Sequence, residues 1–417
     1  MTAIRVIDRQ MKKFSPFHML TVVLLITGTT VGAGMLGLPI KTGLAGLLPS
    51  LLGMIIVWGL MLGTAWILAS RIIESDHRTS DLPTLFQQEL GTPGKWLSII
   101  GYLTIFYGLL VAYLSGASSI LVNLIQPPLA RQAWIIIFFI LATGIIMFGL
   151  DLVRKGNAAI MTVLGISFVF LLIKTGQNLN PRHLSYTDWH FIPSALPIIV
   201  CAFAFHAIIP TVCRSLKWQP RACWHALLIG TLLALVLNAL WMLVVIGVLP
   251  LAGQGQVNIL AAFHENLPAT VPLSMALHSK VITTAGMFFS LAAIITSYFG
   301  VGIAFMGFFR DLIYSYGKKS NRFKEALLTF GLPFFVALVY PNLFLKALDL
   351  VGGIGLLLVF GCLPVLMVIK SKRKPAGWQR FGGYAMLFLF GLLIILELSQ
   401  ELGWLQIHPN AEYWHLG

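Results

Sequence analysis

Eleven apolar runs, each near the length of a bilayer-crossing helix, fill this 417-residue chain. They fall at 18–40, 45–70, 96–123, 132–152, 157–175, 194–216, 222–249, 280–309, 325–340, 344–369 and 381–401. A span needs about 20 predominantly apolar residues, and lipid tolerates only backbone whose polar groups are satisfied within the segment. The chain is therefore constrained to an all-α polytopic membrane protein. Charged residues make up 10% of it, against about 25% in soluble domains. One integral membrane domain over 1–417 is expected, not two or three soluble ones.

The net charge of +14 would suit a nucleic-acid surface, but its placement argues against one. With the N-terminus inside, the inward segments collect 22 of the 28 Lys and Arg: four before the first span, three in 71–95, two in 151–156, three in 214–221, five in 310–325 and five in 370–380. This is the positive-inside distribution, so the basic balance sets orientation and attraction to anionic headgroups. The partner is the lipid bilayer, with no nucleic acid. Eleven spans leave the C-terminal tail outside. The basic N-terminus resembles a signal peptide, yet the run behind it is of spanning length and lacks a small-residue cleavage site, so it is expected to remain as the first helix. Cys201, Cys213, Cys223 and Cys362 lie in or beside helices, and no disulfide framework is expected.

Two loops are long enough to hold structure. Residues 71–95 predict a short amphipathic surface helix started by Ser80 or Asp81 and stopped at Gly91. Residues 250–279 carry two small apolar runs separated by Pro268 and Pro272, which predict a partly re-entrant cap over an outer opening.

The first span contains "GTTVGAGMLGLP", residues 28–39, with Gly28, Gly32, Gly34, Gly37 and Pro39. Glycine costs about 1 kcal/mol at a helix-interior position relative to alanine and proline about 3. The sixth span, "SALPIIVCAFAFHAIIPTVCRSL", is punctuated by Pro197 and Pro210 around His206. Interrupted helices at matching positions of two halves predict an inverted-repeat transporter: 18–175 as the first five-helix repeat, 194–369 as the second, and 381–401 as an extra eleventh helix. A break frees backbone N–H and C=O groups, which persist in a membrane only where they line a cavity. Amides at a half-helix N-terminus favour a carboxylate, and carbonyls at the facing C-terminus favour cations. An α-amino acid presents both charges on one carbon. The competing explanation of Gly28-x-x-x-Gly32 is close helix packing; the second broken helix favours a binding site.

"GTTVGAGMLGLPI" closely resembles the first-span motif of the hydroxy and aromatic amino acid permeases, in the tyrosine/tryptophan permease branch. "YGLLVAYLSGAS", "FAFHAIIP", "SYFGVGIAF" and "VALVYPN" also resemble that family's segments, so the likeness runs over spans one to ten. One departure is Ala207, where the family commonly has glycine after the histidine. The resemblance implies membership of the amino acid/polyamine/organocation superfamily, with the five-plus-five fold of the sodium-coupled leucine transporter and helices 1 and 6 broken. It implies that the Ala33 and Gly34 amides take a substrate carboxylate, within a first-span stretch that includes Thr29, Thr30 and Gly32. The Thr30 carbonyl and carbonyls around Phe203 and Ala204 would take the ammonium. Tyr107 or Tyr113 would reach the carboxylate; these lie about 120° apart around one helix, and Tyr113 is favoured. Phe203, Phe205 and Tyr298, with His206 alongside, would wall the side chain.

Two coupling ions stay open. Ala293, Thr296 and Ser297 share a face of the eighth span by i, i+3, i+4 spacing, and with carbonyls of Gly28 and Val31 they resemble the superfamily's sodium site. Hydroxyls in membrane helices also bond back to their own carbonyls. Proton coupling, which the family resemblance implies, needs a titratable group at mid-membrane; His206 is the candidate, with a neutral bridging imidazole as the alternative. Asp349 and Glu397 are placed toward outer helix ends, within reach of water. The expected function is symport of an aromatic L-amino acid (tyrosine, tryptophan or phenylalanine) across the bacterial inner membrane, with no cofactor. The alternatives are a serine/threonine permease of the same family and a non-transporting amino acid sensor. An enzyme is not expected, because no acid/base pair, nucleophile or metal cluster faces one cavity.

Overall fold

The computed structural model describes residues 15–74, 82–125, 129–148, 150–253, 257–315, 317, 319–371 and 377–410. All eleven predicted spans are helical. The first is split into α1 (Pro16–Thr30) and α2 (Ala33–Ala45), bent by 55°. Then come α3 (Leu47–Glu74), the short α4 (Leu82–Leu90), α5 (Thr92–Leu124), α6 (Arg131–Phe148) and α7 (Leu150–Gly176). The sixth span is α8 (Ile192–Ala202) and α9 (Ile209–Ser215), followed by α10 (Pro220–Val248). Two short helices, α11 (Ile259–His264) and α12 (Thr270–Leu277), precede α13 (Lys280–Ser315), α14 (Arg322–Val339), α15 (Phe344–Ile369) and α16 (Gly377–Glu401).

Among the described residues, nine helices are long and apolar enough to cross a membrane, ten with the bent pair counted as one span. The exception among the predicted eleven is α14, whose first turn carries Arg322, Lys324 and Glu325. The surface helix forms as α4 and stops at Gly91, which has φ +76°; its predicted start at Ser80 or Asp81 lies outside the described residues. The predicted break after residue 152 is displaced. Arg154 and Lys155 lie inside α7, which begins at Leu150. A basic residue marks where lipid ends, and the helix continues beyond it.

Burial separates central from peripheral spans. The apolar window is 72% buried in α15, 67% in the sixth span and 61% in α5, but only 22% in α6 and 17% in α16. The peripheral helices turn large apolar side chains outward, Phe148 and Phe388 among them, as lipid solvation permits. The centre is drawn tight by glycine. At Gly352 a Cβ would stand 1.9 Å from the Pro197 carbonyl oxygen, so α15 and α8 touch backbone to backbone. Within α15, Val351–Cys362 is wound wider, with π-type hydrogen bonding.

The 250–279 segment, expected as a cap, holds the short helices α11 and α12. It is tied to the first span by the Ala269 N–H donating to the Leu36 carbonyl at 2.8 Å. Gly46, with φ +88°, ends α2 against Tyr186–Thr187 of the loop before α8. The four cysteines are free and buried.

Candidate functional site

The first break falls where the glycines predict it. Val31 and Gly32 leave the helix, and Gly32 caps α2 in extended geometry (φ −140°, ψ −155°) without a side-chain hydrogen bond. The first amides of any helix lack an intrahelical acceptor, so those of Ala33 and Gly34 start α2 with no cap on them. On the other side, the Val31 N–H and the Thr30 hydroxyl both donate to the Thr27 carbonyl, at 3.0 and 2.7 Å. The carbonyls of Gly28, Thr29 and Thr30 then end α1 with no helical N–H ahead of them. The broken halves are held from α10. The Thr27 hydroxyl donates to the Gly230 carbonyl at 2.9 Å, and the Trp241 indole N–H to the Met35 carbonyl at 3.0 Å.

The sixth span breaks at the same depth of the packing. After Ala202 the chain unwinds through Phe203, Ala204 and Phe205, makes one tight turn at His206–Ile208, and resumes as α9. A Cβ on Gly34 would lie 3.4 Å from the Cys201 carbonyl oxygen and 3.6 Å from the Ala202 nitrogen. The bare N-terminus of α2 therefore abuts the C-terminal end of α8, with dipoles of opposite sign. Two further helices close on this junction. A Cβ on Gly32 would meet the Ser297 Oγ of α13 at 3.0 Å. The Ser297 side chain also lies near the hydroxyl of Tyr113 from α5, and Tyr113 neighbours Cys201. Gly32, Gly34, Tyr113, Cys201 and Ser297 thus converge from four parts of the chain, with Phe203 and Phe205 fully buried in the unwound turn.

Other expected residues lie elsewhere. The Tyr107 hydroxyl donates to the Leu328 carbonyl at 2.9 Å, and its ring packs on Phe305 and Phe309, toward α14. Tyr298 turns from the break to Thr143 (2.7 Å between hydroxyl oxygens) and lies between the Phe138 and Phe330 rings. Thr29 is exposed on α1, its hydroxyl donating to the Leu25 carbonyl. The Thr296 hydroxyl donates to the Ala292 carbonyl at 2.8 Å, the back-bonded arrangement, and Ala293 beside it is fully buried.

His206 is fully buried. Its Nε2–H donates to the Met61 carbonyl (3.1 Å) beside the Thr64 hydroxyl (3.0 Å), and its ring stacks on Phe360 at 4.9 Å. Nδ1 has no partner, whereas an imidazolium needs acceptors at both nitrogens. The ring pins the unwound turn to α3 and α15. His206→Gln is expected to keep one of these hydrogen bonds, lose the stacking and cost about 1–2 kcal/mol. The check is thermal unfolding in detergent, with the pH profile of uptake expected to stay unchanged.

Asp349 and Glu397 do not reach water as expected: they are 4% and 3% exposed. Asp349 pairs with Lys41 of α2, Nζ to Oδ2 2.7 Å. The available signal was Lys41 itself, an ionisable residue in an apolar run. Cys201 carried no comparable signal, because its importance arises only from what the folded chain sets beside it. No group of three or more potential metal ligands occurs among the described residues.

Comparison with known proteins gives the chain's family. Tyrosine-specific transport system 1 of Haemophilus influenzae is 29% identical over 384 residues, covering 90% of this chain and 94% of that one. The Tryptophan-specific transport protein of the same organism is 25% identical over 413 residues (91% and 96%). The Low affinity tryptophan permease of Escherichia coli K12 is 26% identical over 411 residues (93% and 96%). The profile of the tryptophan/tyrosine permease family matches residues 17–400, and the chain belongs to that family of membrane transporters.

Proposed function

We propose that the chain is a secondary active symporter that imports an aromatic L-amino acid by alternating access, in a five-plus-five inverted-repeat fold with α16 as the extra helix. Its setting is the bacterial inner membrane, N-terminus inside and C-terminus outside, as the placement of Lys and Arg supports. The observation that carries the reading is the meeting of two interrupted spans. The uncapped amides of Ala33 and Gly34 face the end of α8 across a junction edged by Tyr113 and Ser297. The amides take the carboxylate, the carbonyls ending α1 and α8 take the ammonium, and the Tyr113 hydroxyl adds a directed donor. The specificities of the relatives, tyrosine and tryptophan, support an aromatic side chain over serine or threonine.

The test is counterflow of radiolabelled tyrosine, tryptophan, phenylalanine and serine in liposomes containing the purified chain. Exchange of an aromatic acid is expected. Exchange of serine alone would support the serine/threonine alternative, and binding without exchange a sensor. Ser297→Ala removes a hydroxyl from the Gly32 edge of the junction and is expected to weaken apparent substrate affinity about fivefold, the equivalent of about 1 kcal/mol for one hydrogen bond. Sodium coupling is the second reading, favoured by Ser297 lying beside Gly32; loss of uptake in sodium-free buffer would support it.

A further inference from the structure

A buried charged group lies behind the binding junction, with one ammonium for two carboxyls. Lys41 of α2 holds Asp349 of α15 at 2.7 Å and donates to the Ser194 carbonyl of α8 at 2.9 Å. The Phe263 ring of the outer cap lies 5.8 Å from the ammonium. The second oxygen of Asp349, Oδ1, is buried without a hydrogen-bond partner. Glu397 of α16 packs on Gly353, one turn along α15 from Asp349, its side-chain carbons within 2.9 Å of where a Cβ would stand. The charges acting on Glu397 are Asp349, Lys41 and Glu401; those on Asp349 are Lys41, Glu401 and Lys346, with the Cys201 thiol of α8 also in its field. Glu401 and Lys346 are exposed at the outer rim, where water screens them. That leaves Lys41, Asp349 and Glu397 as the desolvated set, and it is neutral only when one carboxyl holds a proton. A buried carboxylate without a counter-ion costs several kcal/mol.

We propose that Glu397 is a proton-binding site of the transport cycle: one proton from the outer solution adds to its buried carboxylate. Protonated, Glu397 leaves Lys41 to Asp349. Ionised, it competes for the same ammonium. Lys41 sits on the helix whose first amides meet Cys201, and Cys201 neighbours both Asp349 and Tyr113. The proton state therefore acts on the binding junction through a single thirteen-residue helix. The inference rests on the symporter reading.

Two measurements test it on the full chain in liposomes. One proton per substrate converts a pH difference of about one unit, acid outside, into about tenfold tyrosine accumulation. Glu397→Gln is expected to abolish that accumulation at every imposed gradient. Accumulation by this variant equal to the original chain's would overturn the proposal. Infrared difference spectra between acid and alkaline buffer need no transport. A protonated-carboxyl band is expected, removed by Glu397→Gln and also by Asp349→Asn, which leaves Glu397 as the sole acid for Lys41. A band unaffected by Glu397→Gln, or no band, overturns the proton site. The band present in a chain that exchanges no amino acid would instead overturn the symporter reading and leave the proton site standing.

Discussion

Gly34→Val abolishes substrate binding and uptake while the protein still inserts and folds: this is the expected result at the junction of the two broken spans. The Gly34 Cβ position lies in ordinary contact with the Cys201 carbonyl and the Ala202 nitrogen, at 3.4 and 3.6 Å. Alanine is therefore tolerated with a modest loss. Valine adds two γ-carbons beyond that contact, pushing α2 from α8 and covering the Ala33 and Gly34 amides. Each hydrogen bond to a charged group contributes about 1.5–3 kcal/mol. Losing both amides costs about 3 kcal/mol or more, over a hundredfold in affinity. Binding of tyrosine by the purified protein, read beside membrane yield and monodispersity, checks it; retained high-affinity binding by Gly34→Val would remove α2's N-terminus from the site.

The second large effect is expected at Lys41. Lys41→Met preserves much of the side-chain volume but strips Asp349 of its counter-ion inside the protein. Breaking one side of a buried ion pair costs about 3–5 kcal/mol, whereas replacing both partners by apolar residues is often neutral. Lys41→Met is therefore expected to lower the unfolding midpoint sharply, and Lys41→Met with Asp349→Leu to recover most of it. Denaturant unfolding of the purified protein measures both. A single variant as stable as the original chain would mean that water reaches the pair, contrary to its 5% and 4% exposure.

The two predictions concern opposite ends of one helix. At its N-terminus α2 offers uncapped amides, and farther along it holds the ammonium that binds α15. Pro39 lies between them without an N–H, and the Met35 carbonyl it leaves free accepts the Trp241 indole N–H, so α10 braces the stretch of α2 that joins Lys41 to Gly34. The segment joining α11 and α12 adds a third contact through the Leu36 carbonyl and Ala269. Movement of α2 would thus couple that segment, the charged group and the binding junction.

The breaks and the spans are legible along the chain because they arise from local chemistry. Glycine at 32 and 34 and proline at 197 and 210 weaken a helix wherever it is packed, and about 20 apolar residues in a row must cross lipid. The family motifs lie on the same stretches, which is why the broken first span and its amides were expected before any coordinates. Tertiary structure decided which way side chains turn. Tyr113 faces the break, while Tyr107 and Tyr298, equally good on helical spacing, bond to α14 and α6. It also decided that Asp349 and Glu397, near helix ends in sequence, are buried, Asp349 against Lys41 and Glu397 against Gly353. Partners separated by hundreds of residues, such as Lys41 and Asp349, leave no pattern in either segment alone; only the packed helices set one ammonium against two acids.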